Sequence, residues 1–282
     1  MKKYIVLIPI LLLLFACAQE QTETKTAEIV STKILTEMAE SNPDYWGYID
    51  YVWVKDGEAM SEETFAAYVT DWVKEADATG VPYSSYGYVP VETTDNYDGI
   101  WVVAWKSKAL RDSAWEKWTA NGSRAKLDAA HPDTLVVGGD NYEDVYSFYS
   151  FRPRDPVGEW SVSTGSDQKP YNIDVTFCNF NEGQGFDQLR TVLTDDFYPW
   201  LAATEQDISA DSYFFSIEIP ENQDASYDYM WKNLHISVAE ADAGSAAFQA
   251  TGTAIQEKFD QVANCNPMTR FNGYFIKLEE EA

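Results

Sequence analysis

Few residues in this chain have the types and spacing that chemistry requires. There are two histidines, His131 and His235. Neither an H-x3-H nor an H-E-x-x-H spacing occurs, so a multi-histidine zinc site is excluded and no metal site is expected. His131 precedes Pro132 in a loop, and His235 lies just beyond a Tyr-Asp-x-x-Trp motif. Asp50 and Asp174 occupy equivalent places on two expected strands. If that strand face lines an enclosed space, two carboxylates approach one cavity, where burial would raise a pKa into the range of general acid–base work. The simpler reading puts each at a solvated strand end. Asp98 and Asp228 precede strands and fix turns by local hydrogen bonding. Trp53, Trp101, Trp105 and Trp231 fall on expected strands, either as core or as the wall of a pocket for an apolar or planar ligand. No Gly-rich phosphate loop, G-x-S-x-G elbow or EF-hand loop appears.

Those residues sit in a chain of 282 with 20 Lys+Arg against 46 Asp+Glu, a formal charge of −26. Phosphate binding needs a clustered basic face, so nucleic acid is not an expected partner. With 15% aromatic residues the chain has ample material for a core, which argues against global disorder. The charge also repels anionic lipid headgroups and favours solubility.

The first residues give an address. Lys2 and Lys3 precede the apolar run Tyr4 to Ala16, too short for a membrane-spanning helix, which needs roughly 20 residues. The run ends Leu14-Phe15-Ala16-Cys17 and resembles a bacterial lipobox. The resemblance implies a signal peptide over 1–16, lipidation at Cys17 and a lipoprotein tethered to a membrane by its acyl chains. Ala18 follows Cys17 in place of an Asp retention signal, so the expected location in a Gram-negative host is the outer membrane, facing the periplasm. Residues 17–44 read as a polar tether with a short amphipathic helix through Ile29, Ile34 and Met38. Once Cys17 is committed to lipid, Cys178 and Cys265 remain, and two thiols in an exported chain more often pair than stay free. A disulfide between them would stabilise by about 4–5 kcal/mol in the chain-entropy model.

An internal repeat organises the rest. Asn96-Tyr97-Asp98-Gly99-Ile100-Trp101 matches Ser226-Tyr227-Asp228-Tyr229-Met230-Trp231, and the same spacing pairs Tyr83 with Tyr213, Trp118 with Phe248 and Gly122 with Gly252. Each copy reads as β-α-β-β-α-β, the split motif of ferredoxin-like folds. Copy one covers 45–152, a Pro/Gly-bearing linker 153–169, and copy two 170–282. In copy one Ser61 caps a helix that Gly80 ends, and a second helix starts near Ala109. In copy two the expected helices are Phe186 to Leu201, ended or kinked by Pro199, and Ala239 to Val262.

Strands such as Val145 to Phe151 are apolar or aromatic on both faces, so one copy alone would expose an apolar sheet. The expected fold is therefore α+β, two ferredoxin-like repeats packed sheet to sheet. In that arrangement the chain resembles the dimeric α/β-barrel superfamily in fused form. The resemblance implies relatives as varied as cofactor-free monooxygenases and haem-binding chlorite dismutases, and fold alone does not choose among them. The functional expectation is a tethered, non-catalytic module for a small apolar or aromatic ligand or an envelope protein partner. The alternative is a cofactor-free monooxygenase or isomerase with Asp50 or Asp174 as base. No cofactor is expected, with haem at His235 the weaker reading.

Overall fold

The computed structural model describes residues 46–138, 145–153, 157–158, 169–208, 212–222 and 224–278. The expected leader 1–16, the expected tether and helix of 17–44, and most of the expected linker 153–169 lie outside the described residues.

Alternation along each strand decides which face meets which core. β1 (Trp46–Asp56) turns Ile49 and Tyr51 to one side and Asp50, Val52 and Val54 to the other. α1 (Glu62–Asp77) follows, started by a capping box in which Ser61 and Thr64 satisfy each other's backbone N–H. Glu62 and Glu63 in its first turn and Lys74 in its last complement the helix dipole. Its apolar stripe buries Tyr68, Trp72 and Ala76, and Gly80 leaves the helix at a φ of +65°, which a side chain would strain. The first half continues through β2 (Ser84–Pro90), β3 (Gly99–Trp105), α2 (Lys108–Ala120), α3 (Ser123–Ala130), β4 (Leu135–Val137) and β5 (Val145–Phe151).

After β6 (Val157–Gly158), the second half runs β7 (Tyr171–Phe180), α4 (Phe186–Val192), a π-helical turn Leu193–Phe197, α5 (Tyr198–Ile208), β8 (Ser212–Pro220), β9 (Tyr229–His235), α6 (Val238–Thr251), α7 (Thr253–Val262), β10 (Ala263–Cys265) and β11 (Thr269–Lys277). Two helix boundaries differ from the sequence reading. Pro199 does not end its helix, which runs on to Ile208. The wide π turn just before it lies where Pro199, which lacks an N–H, cannot supply a regular ladder bond. The expected single helix Ala239 to Val262 is two helices meeting at Gly252, where a Cβ would lie 2.4 Å from the Phe248 ring.

Eight strands close on themselves. β2 pairs with β3, β3 with β1, β1 with β5, β5 with β8, β8 with β9, β9 with β7, β7 with β11, and β11 with β2, every pair antiparallel. The fold is a mixed α+β one with an eight-stranded, barrel-like antiparallel sheet. Its halves join through strand edges, at β5–β8 and β2–β11, besides meeting across their inner faces. Closure leaves no unpaired edge among these eight, which removes a template for aggregation.

The barrel interior is packed by Ile49, Val102 and Phe148 from the first half against Ile173, Met230 and Phe271 from the second. It also holds an enclosed ion pair between Lys232 and Glu218, with Lys232 Nζ donating to Tyr51 Oη at 2.7 Å and Tyr51 Oη donating to Glu218 at 2.5 Å. Each member satisfies another, the condition under which burying charge is tolerated. Burial and the Glu218 carboxylate push the Tyr51 hydroxyl well above its usual pKa. The outward faces carry two further cores, one under the helices of each half.

Candidate functional site in the second half

The outward face of β9 presents Trp231, Asn233 and His235, because Met230 and Leu234 take the inward positions. Thr176 on β7 and Tyr213 on β8 flank them. Over this face pass α5 with Trp200 and Leu201, α6 with Gly244, Ser245 and Phe248, and α7 with Gln256, Phe259 and Asp260. These elements line a half-open cavity of about 800 Å³. That volume lies at the upper end of the range for small-molecule and cofactor sites. Rings hold its walls: Phe215 stacks on Trp231 at 4.6 Å and 7°, and Phe197 meets Trp231, Phe248 and Phe259 edge to face.

His235 is the titratable group whose state matters most here. Its ring stacks on Tyr213 at 4.7 Å. Burial pushes its pKa down to about 4, with Asp174 opposing that shift and Arg270 adding to it, so the imidazole is neutral at ordinary pH. A neutral imidazole keeps one nitrogen lone pair free to bind a metal. The imidazole has no hydrogen-bond partner among the described residues. Directly opposite it in the ladder stands Asn172, 0% exposed, with neither its side-chain nitrogen nor its oxygen hydrogen-bonded. Opposed residues of an antiparallel pair share a face, so the carboxamide and the imidazole are cross-strand neighbours. A fully buried amide without partners is costly. Gly244 brings α6 close, for a Cβ there would lie 3.3 Å from His235 Cε1.

The corresponding space in the first half is nearly full. Trp101, Val103 and Trp105 stand on β3 where Trp231, Asn233 and His235 stand on β9, each 130 residues earlier. Ala114, Trp115 and Trp118 stand on α2 where Gly244, Ser245 and Phe248 stand on α6. What remains there is about 30 Å³ among Trp72, Trp105, Trp115 and Trp118.

The residues singled out in the sequence fall in different places. Asp50 and Asp174 do share a strand face, but it is the outward one, and each lies under the helices of its own half rather than in one cavity. Asp50, 0% exposed, accepts from Arg111 Nε at 2.9 Å, Trp115 Nε1 at 2.6 Å and Ser147 Oγ at 2.6 Å. Asp174 accepts two bonds from Arg270, at 2.8 and 3.1 Å. Each carboxylate is thus committed to an ion pair with a guanidinium group. Of the four tryptophans, Trp231 lines the large cavity, Trp101 and Trp105 are buried in the first half's outer core, and Trp53 sits at a barrel end against Tyr97 and Tyr146. Cys178 and Cys265 are joined in a disulfide that forms part of the cavity wall. His131 Nε2 lies 2.8 Å from Asp71. Asp98 and Asp228 each accept a backbone N–H, from Asp56 and Phe180 respectively. Among the described residues no group of three or more His, Cys, Asp or Glu is placed to hold a metal ion.

The sequence reading passed over Asn172, Asn233, Gly244 and Ser245. The signal that could have found them is the 130-residue diagonal, along which Trp105 becomes His235 and Trp115 becomes Ser245. Its coincidences carry the expected repeat, whereas its differences mark the cavity.

No family model matches the chain, and no curated protein matches it. Among solved structures it is similar to a chlorite dismutase variant from Candidatus Nitrospira defluvii, at 9% identity over 81% of this chain and 90% of that one, TM-score 0.49. It is similar to the same enzyme in complex with imidazole, at 12% identity over 81% and 90%, TM-score 0.47. It is also similar to a haem-binding protein from Thermus thermophilus, at 11% identity over 82% and 91%, TM-score 0.45. Each likeness concerns the barrel-like fold. Two expectations are corrected at this point. The expected passive ligand module and its cofactor-free oxygenase alternative are set against solved structures of similar fold that are chlorite dismutases and a haem-binding protein. The expectation of no cofactor is set against the same neighbours, one of which is a haem-binding protein. The physical reason lies in this chain: both supposed bases are pinned by arginines, and the space stands beside a neutral histidine instead.

Proposed function

We propose that the second-half cavity holds an iron macrocycle of the haem class, with His235 as the iron ligand. The observation that carries this reading is a neutral imidazole, without hydrogen bonds among the described residues, in the wall of an aromatic cavity of about 800 Å³. The fit is good in three respects. The volume suits a large planar ligand, Phe197, Trp200, Trp231 and Phe248 offer ring faces and edges, and the donor is a nitrogen that iron accepts.

A bound macrocycle would supply ligand-binding and redox chemistry at its iron. The chain's own contribution is to present the imidazole, exclude water with aromatic walls, and set the tautomer. Asn172 is suited to the last task, since metal-bound imidazoles commonly give their other N–H to a neighbouring acceptor. Titrating the protein with iron porphyrin tests the reading. A saturable Soret shift at one equivalent, lost in His235→Ala and recovered on adding free imidazole, is the expected result. An identical spectrum and affinity in His235→Ala would overturn it.

The two halves descend, in this reading, from one duplicated βαββαβ unit. The support is that β3, α2 and α3 recur as β9, α6 and α7 with starts displaced by 130 residues each. The domain is further read as tethered through lipid on Cys17 to the outer membrane, facing the periplasm, on the strength of Leu14-Phe15-Ala16-Cys17. Labelled palmitate incorporated into the wild type and absent from Cys17→Ser checks that assignment.

A further inference from the structure

The chemical lining of the cavity suggests which macrocycle it takes. Besides hydroxyl groups and the imidazole, its polar groups include the carboxamides of Asn181, Asn233, Asn264, Asn266, Gln249 and Gln256 and the carboxyl groups of Glu240 and Asp260. No lysine or arginine lines it among the described residues. The basic side chains on the surrounding strands and helices are committed elsewhere. Arg270 is bound to Asp174 and Asp242, Lys258 to Asp196, Lys277 to Asp77, and Lys232 to Glu218 inside the barrel. Asp260 accepts a hydrogen bond from Gln256 Nε2 at 2.7 Å and has no cationic partner among the described residues, so its charge stands uncompensated at the wall. The whole chain adds to the effect with a formal charge of −26.

We infer that this cavity selects a macrocycle whose peripheral groups are uncharged or cationic and disfavours one bearing two free carboxylates. The inference rests on the reading of the site as an iron-macrocycle pocket. Its physical basis is a lining with no lysine or arginine to offset a ligand carboxylate that leaves water, beside the Asp260 carboxylate, which repels it. Carboxamides donate and accept hydrogen bonds without charge, so they serve ester, amide or ammonium groups at a ligand's rim.

The test compares iron protoporphyrin IX with its dimethyl ester on the full chain, with affinity read from quenching of tryptophan fluorescence and coordination from the Soret band. The diester is expected to bind at least tenfold tighter at low salt, with the preference shrinking as salt is raised and the Debye length falls. Salt dependence separates charge from the added apolarity of the ester methyls, which salt does not weaken. Asn266→Lys, which places a cation in the lining, is expected to narrow the gap by selectively strengthening the dianion. Equal or tighter binding of the dianion by the wild type, or a preference that persists unchanged in high salt, would overturn the inference while leaving the iron-macrocycle reading intact. Failure of both compounds to show a His235-dependent Soret shift would overturn that reading, and the inference with it.

Discussion

Val54 and Val137 face each other across β1 and β4 in the first half; at the matching place in the second, Cys178 and Cys265 face each other across β7 and β10 and are covalently joined. The same contrast runs through both outer cores. In the first half Trp72, Trp101 and Trp105 fill the space under the helices and leave about 30 Å³. In the second, Trp231 keeps its place, but His235 stands for Trp105, Gly244 for Ala114 and Ser245 for Trp115, and about 800 Å³ is left. Packing in the first half is dense enough that the indole N–H groups of Trp101 and Trp105 are buried without hydrogen bonds. In the second, Trp231 Nε1 donates to Asn233 Oδ1 at 2.8 Å. One frame thus supports two solutions, a half held by side-chain contact and a half hollowed for a ligand and stapled by a covalent bond. A cavity forgoes dispersion and burial energy, and the staple stands where those contacts are fewer.

If that contrast is correct, the two halves must respond differently to matched substitutions. The largest effect is expected from the staple. Replacing both Cys178 and Cys265 by Ala should lower stability by about 4–5 kcal/mol for so long a closed loop, whereas Val54→Ala with Val137→Ala should cost less. Urea unfolding followed by far-ultraviolet dichroism measures both. Next comes the tryptophan pair. Trp101→Ala should cost about 3–5 kcal/mol, and Trp231→Ala, beside the cavity, less than half of that. Equal costs would mean that the second half is as tightly packed as the first.

His235 supplies a pH signature that its counterpart Trp105 cannot. The folded imidazole stays neutral down to about pH 4, while the unfolded one takes up a proton below its ordinary pKa of 6.5. The unfolded state therefore binds more protons between those values, so stability is full above pH 6.5 and declines as pH falls toward 4. The difference in stability between wild type and His235→Leu should change by about 3 kcal/mol across that window, and a flat difference would place the imidazole in water. The smallest effect on stability is expected from Ser245→Trp, which copies Trp115 into the hollow half. Stability should move by less than about 1 kcal/mol because the ring enters open space, yet iron-porphyrin binding should vanish. Retained binding would show that the macrocycle does not occupy this cavity.

Much of the frame was legible in the chain itself. The diagonal through Tyr97-Asp98 and Tyr227-Asp228, the Ser61 cap, and the two cysteines each report short-range chemistry or identity between residues, and none needs a third dimension to be read. The site was not legible in the same way. Asp50 and Asp174 have the residue type and symmetry of a catalytic pair, but type cannot reveal which face of a strand turns to the helices or that Arg111 and Arg270 arrive there. Trp53, Trp101, Trp105 and Trp231 are alike in sequence, yet they end in a barrel end, a packed core and a cavity wall, because burial depends on what crosses over each strand.

By itself, then, the sequence determined the local and periodic features: strand alternation, helix starts, the 130-residue diagonal and the surplus of acid. Only the tertiary structure decided that one half is full and the other hollow, and that His235 rather than Asp50 or Asp174 faces the space. A cavity is the part of a fold that packing leaves over, set by the sizes of side chains brought together from β7, β8, β9, α5, α6 and α7. No stretch of chain contains that sum, which is why its volume and its neutral histidine appear only once those elements have met.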